Sequence, residues 1–242
     1  MYAQAAIAVR QDLAEAHTQA WHRLGEPGTW LDAATRIAIA KELRHAKGCE
    51  LCQKRKSSLS PNNTDGSHDC LDLLEPDHLE VVHRLAHDAS RITESWVQGT
   101  AVPGLGEGEY VETVAVIATV LAIDGFTDAL GWPRHNLPAP SPGSPGRDRP
   151  QNARQDIAWV ATLPPGEHAP GELDPYVRVS GVHIHQALSL VPAETIAFFD
   201  LDAAQYLPDS ALRDFGREYR SLTHVQIEYL AARVSAINQC VY

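Results

Sequence analysis

Cysteine is scarce in this chain: four residues in 242, alongside one methionine and 7% aromatic side chains. So few thiols at this length exclude a secreted disulfide scaffold, and their spacing points instead to redox or metal chemistry. Positive charge is also short, with 20 Lys and Arg against 31 Asp and Glu for a formal net charge of −11. That excludes a chain built as a whole to hold nucleic acid or an anionic membrane surface. No uninterrupted apolar run reaches the roughly 18 residues of a membrane span. Residues 1–24 carry Arg10, Asp12 and Glu15 and have no signal-peptide cleavage pattern. These absences predict a soluble, cytoplasmic protein. What is plentiful is core material: 44% of side chains are hydrophobic, enough for one large domain or two small ones and too many for a disordered chain.

Helical periodicity runs through almost the whole sequence and predicts an all-α fold. Residues 2–24 carry the stripe Ala3, Ile7, Leu13, Ala20 and Leu24, closed by Gly25 and Pro27. A second helix is expected from Thr29, with Thr29 and Asp32 as a capping box, to about Lys47, and a short one over 53–60 ends at Pro61. Asp77 and Glu80 open the next, whose stripe is Leu79, Val82, Leu85, Ala89, Ile92 and Trp96. Residues 108–130 are apolar nearly all round, which predicts a central, buried helix. Six prolines and two glycines then fall between Trp132 and Pro150, a composition that fixes φ and removes donors and so reads as a semi-rigid connector. Residues 177–184 are the one expected strand. Helices follow over 184–190, 193–206 and 209–219, and a last one runs from Thr223, capped with Gln226, to Tyr242.

Two segments approach a cysteine at the same offset. LDAATRIAIAKELRHAKGC ends at Cys49 and LTHVQIEYLAARVSAINQC ends at Cys240, which lays Leu31 on Leu222, Ile39 on Leu230, Ala40 on Ala231 and Leu43 on Val234. This suggests a duplication, with a first unit over 1–131, the connector over 132–156 and a second, incomplete unit over 157–242.

Cys49-x-x-Cys52 is the sharpest local motif. Two thiols at this spacing can close into a disulfide, and the one nearer a helix N-terminus has its thiolate favoured by unpaired amides and the helix dipole. Lys54, Arg55 and Lys56 add positive charge next to it. Such a thiolate attacks a peroxide or a disulfide while its neighbour resolves the intermediate. The same spacing also serves as half of a zinc site, with His68 and Cys70 as the other half: Cys-x2-Cys-x15-His-x-Cys supplies four N/S donors. Two buried cysteines without any role are the plain alternative. His83 with His87, and His183 with His185, could each grip a metal, although twelve histidines produce such pairs by chance. Glu228, twelve residues before Cys240, could relay a proton or simply be a solvated helix glutamate.

The segment QIEYLAARVSAINQC resembles the motif helix of the alkylhydroperoxidase D-like and carboxymuconolactone decarboxylase superfamily, in which Glu, eleven residues, Cys, two residues, Cys, three residues and His follow one another. Glu228 and Cys240 fall on the first two positions. RIAIAKELRHAKGCELCQKRK resembles a degenerate copy: Cys49 and Cys52 match, but Ile37 replaces the glutamate and Lys56 the histidine. The resemblance implies an all-α homo-oligomer and a thiol-dependent peroxidase or disulfide oxidoreductase that depends on a thiol reductant. Catalysis would lie with Cys49, Cys52, Glu228 and Cys240, Cys52 attacking and Cys49 resolving. Three alternatives accompany it. A helical assembly protein would hold structural zinc on Cys49, Cys52, His68 and Cys70. A decarboxylase-like enzyme would transfer protons without the thiols. A composite site would bring Cys49 and Cys52 to Glu228. Because the motif's second cysteine is due at the position after Tyr242, a selenocysteine there is a further expectation.

Overall fold

The computed structural model describes residues 1–2, 5 and 7–240. Ala3, expected on the first stripe, and Tyr242, the expected end of the last helix, lie outside the described residues. The order is α1 (Gln11–Leu24), α2 (Ala33–His45), α3 (Glu50–Ser57), α4 (Pro76–Asp88), α5 (Glu94–Trp96), α6 (Val102–Leu105), α7 (Glu107–Ala129), α8 (His183–Gln186), α9 (Pro192–Gln205) and α10 (His224–Ile237). The described residues contain no strand, only one isolated bridge between Arg154 and Thr162. The all-α expectation holds.

α7 is the central helix the sequence announces. It is long and apolar enough to cross a membrane by length and composition alone, but 61% of its most apolar window is buried inside the protein. α2 and α4 pack on it, and α9 packs on both α7 and α1. One core joins Trp21 and Leu24 of α1 with Ile39, Leu43, Val82, Val120 and Ile123, and takes in Leu201 of α9. A second joins Val81, Tyr110 and Val111 to Val160, Leu190 and Val191. Both draw side chains from before and after the proline-rich connector. That connector has no helix and is tied to the turn between α1 and α2 by backbone bonds, Ser141 N–H to Gly25 O at 2.8 Å and Arg147 N–H to Thr29 O at 2.7 Å.

Between the cores lies a buried ionic group that no periodicity announces. Arg36 donates to Glu112 at 2.5 Å and to Glu194 at 2.8 Å, and Arg23 also donates to Glu194 at 2.8 Å. The second Glu112 oxygen accepts the Trp30 amide at 2.7 Å. Paired in this way the charges are tolerated inside, whereas removing one partner would strand the others.

Several boundaries differ from the sequence reading. α1 starts at Gln11 because Ile7 is 62% exposed, so nothing rewards helix formation there. Asp32 is itself the N-cap of α2, accepting Thr35 N–H at 2.8 Å, so the helix begins four residues after Thr29. The expected 77–96 helix ends at Asp88, and Thr93 caps α5 as a separate turn. The 177–184 strand is absent: Gly181 sits at φ +73°, Val177 and Ile184 are exposed, and the described residues offer no strand to pair with. In place of a 209–219 helix there is one 3₁₀ turn, Asp209–Ala211.

Candidate metal and thiol centre

α2 runs into a 3₁₀ turn, Ala46–Gly48, and Cys49 then caps α3 in extended backbone (φ −64°, ψ 118°). Cys52 lies in the first turn of α3, a helix that buries only Leu51 and Cys52. The 58–75 loop returns His68 over these two thiols. α4 presents Glu80 and His83 three residues apart on one face, as helical spacing requires.

These elements converge on four donors. The Sγ atoms of Cys49 and Cys52 and a ring nitrogen of His68 and of His83 all lie within 4.8 Å of one another. His68 Nδ1 is 3.6 Å from Cys49 Sγ and 3.5 Å from Cys52 Sγ, and His83 Nδ1 is 3.3 Å from Cys52 Sγ. With zinc–sulfur bonds of about 2.3 Å and zinc–nitrogen bonds of about 2.05 Å, the sulfur–nitrogen edge of a tetrahedron is about 3.5 Å. The three distances above lie close to that value. Two thiolates, two neutral imidazoles and a dication also sum to zero charge, which suits a site where Cys49, Cys52 and His83 are at most 3% exposed.

Each imidazole is backed by a carboxylate. His68 Nε2 meets Glu80 Oε2 at 2.9 Å, and Arg55 donates to both Glu80 oxygens at 2.9 and 2.8 Å. His83 Nε2 meets Glu42 Oε1 at 2.9 Å, while Glu42 Oε2 accepts the Leu71 amide at 3.0 Å and so anchors the loop behind His68. Both rings therefore turn Nδ1 toward the sulfurs, the orientation that a carboxylate behind a metal-bound histidine enforces.

The electrostatics separate the two thiols. Burial opposes the Cys49 thiolate, but the Cys52 amide and His68 outweigh it and hold Cys49 below the ordinary thiol value. Burial, and then the Cys49 thiol beside it, push Cys52 up to about 12. Burial also works against a charged His68, yet Glu80 and Cys49 hold its pKa above the usual imidazole value. For Glu80 burial is outweighed by His68 and Arg55, which bring it down to about 2. His83 is held below its ordinary value by burial, with Glu42 opposing. The thiolate is thus favoured at Cys49, the cap of α3, where the Cys52 amide and His68 reach it, and disfavoured at Cys52.

The sequence-derived zinc set is corrected at one ligand. Cys70 lies outside the group and donates to Asp72 Oδ1 at 3.4 Å, its chain turned by the Leu71–Glu42 bond and by Asp72 at φ 56°. His83 takes its place, while His87, its expected partner in a metal grip, bonds Ala46 O at 2.5 Å instead. His185 contacts Asp209 and the Gly181 amide. Glu228 accepts the Tyr206 hydroxyl at 2.5 Å and lies 3.4 Å from His224, and Cys240 is exposed beyond the end of α10. From Glu228 to the end of α10 at Ile237 the helix rises about 13 Å, and Cys240 lies beyond it. Neither belongs to the four-donor group. The motif positions Ile37 and Lys56 are a core aliphatic and an exposed cation. Glu42 carries no signal in the sequence, and Glu80, expected to open α4 with Asp77, instead binds His68 and Arg55 while Glu75 stands at the cap; Glu80-x-x-His83 places both side chains on one helical face.

Little space adjoins the thiols. The cavity lined by Cys52, Arg55, His83, Arg84, His87 and Asp88 holds about 10 Å³, the room of a single water. None of the four donors lines the clefts of 760, 480, 560 and 360 Å³ elsewhere. Comparison with protein families, curated proteins and solved structures gives no match for this chain.

Proposed function

We propose that Cys49, Cys52, His68 and His83 form a closed structural zinc site, and that this chain is a helical protein whose 50–75 region is held in place by metal. The observation that carries the reading is four donors within 4.8 Å of one another, three of their sulfur–nitrogen distances close to a tetrahedral edge, with a carboxylate behind each imidazole. The weakness of the local core supports it. Around α3 the buried apolar cluster is no more than Cys49, Leu51 and Cys52, while Leu59 and Leu73 lie open to solvent. A segment with so little burial needs a cross-link, and a bound metal supplies one. Bound zinc would hold both thiols as thiolates and supply no open coordination position, so the site is structural rather than catalytic.

The Glu80–His68–Cys49 chain favours a second reading, a thiol-dependent oxidoreductase related to the superfamily that the cysteine segments resemble. In it the Cys49 thiolate attacks a peroxide or disulfide and Cys52 resolves. Metal analysis with thiol counting separates the two. A structural site gives one zinc per chain and leaves Cys49 and Cys52 unreactive to a disulfide reagent until a chelator is added, with Cys70 and Cys240 reacting at once. Metal-free protein with turnover of peroxide, abolished by Cys49→Ser, would replace the structural reading with the redox one.

A further inference from the structure

α10 carries apolar surface that the rest of the described chain leaves uncovered. Its capping box is complete, with the Thr223 side chain on the Gln226 amide and the Gln226 side chain on the Thr223 amide, so the helix is well initiated. Of its residues only His224 is buried, while Val225, Tyr229, Leu230, Val234 and Ile237 are 52% to 73% exposed. Val225, Tyr229, Ala232 and Ala236, all exposed, recur at intervals of four, three and four, the a/d spacing of a two-stranded seam, while Leu230, Val234 and Ile237 lie on the adjoining face. Glu228 and Arg233 flank the seam on opposite sides, five residues apart.

That charge pattern selects a geometry. In a parallel pair the flanking residue just before an a position lies opposite the residue five further along the partner, so Glu228 of each copy meets Arg233 of the other. An antiparallel pair would set Glu228 beside Glu228 and Arg233 beside Arg233. Arg233 is exposed and has no ion-pair partner among the described residues. Glu228 is held by Tyr206 through Oε1, has no hydrogen bond to Oε2 among the described residues, and is 42% exposed. Alanines at two of the four seam positions let the helix axes approach.

We propose that α10 is the seam of a parallel, twofold dimer of this chain, held by Val225, Tyr229, Ala232 and Ala236 and set in register by the Glu228–Arg233 pairs. The helix is about 21 Å long, so the contact is smaller than the roughly 800 Å² per partner of a standard interface. The dimer is therefore reversible and concentration-dependent. This inference is independent of whether the cysteine centre holds zinc.

Sedimentation velocity of the full chain, from well below to well above micromolar, is expected to pass from monomer to dimer. Tyr229→Glu abolishes the dimer with the helical circular dichroism unchanged. Arg233→Glu raises the dissociation constant about tenfold, and adding Glu228→Arg restores it. Because Glu228 also binds Tyr206, direction is tested separately: Ala236→Cys in a Cys240→Ser background cross-links to its own counterpart under mild oxidation, and the background alone does not. A monomer at every concentration, a dimer indifferent to Tyr229→Glu, or an Ala236→Cys chain that fails to cross-link would overturn the proposal.

Discussion

A carboxylate behind each imidazole fixes which ring nitrogen faces the sulfurs, and at residue scale this is the centre's defining feature. Glu42 does it with no exposure to solvent, bridging His83 and the Leu71 amide. Glu42→Gln keeps the shape but weakens the polarisation of His83, and should reduce zinc affinity by about 10- to 100-fold in a chelator competition. The thiols add a pH dependence. Metal-free Cys52, pushed up to about 12, holds its proton at neutral pH and must lose it on coordination. The bound state thus carries fewer protons than the free state, so affinity rises as pH rises through neutrality. Calorimetric titration in buffers of different ionisation enthalpy should register at least one proton released per zinc. Cys49, Cys52 and His68 were legible from spacing alone. His83 was visible only as half of a chance-level histidine pair, because its role depends on α4 lying across α3, a long-range packing that local sequence does not encode.

On the zinc reading proposed above, α3 and the 58–75 loop depend on the centre, whereas α7 depends on burial. Hydrogen exchange after chelation should therefore open 50–75 and leave α7 protected; uniform loss of protection across both would contradict a local clamp. The N-terminus of α7 has its own constraint. A Cβ on Gly108 would lie 2.2 Å from the Trp30 ring, so the indole packs there only because position 108 has no side chain. Gly108→Ala should cost about 1–3 kcal/mol in denaturant unfolding. Long periodic elements were well read: α7, α9 and the capping box of α10 lie close to expectation. The errors fall where burial is missing, as at Ile7 and over 209–219, or where a glycine turn replaces pairing, as at Gly181. The paired segments show the limit of pattern matching most clearly. Ile39 and Leu43 are buried in the core, while Leu230 and Val234, their counterparts in the overlay, are 52% and 58% exposed.

Taken whole, the molecule sets a metal-ready clamp against two cores that share side chains from both sides of a proline-rich connector. The ionic group of Arg23, Arg36, Glu112 and Glu194 links α1, α2, α7 and α9 at the junction. It was invisible in the sequence because each member is an ordinary charged residue until the fold brings the four together. Zinc content per chain measures directly which residue is the fourth ligand. One zinc is expected in the native chain and in Cys70→Ser, and none in His83→Ala that keeps its helical circular dichroism. Zinc retained by His83→Ala but lost from Cys70→Ser, or no zinc in the native protein, would contradict this expectation.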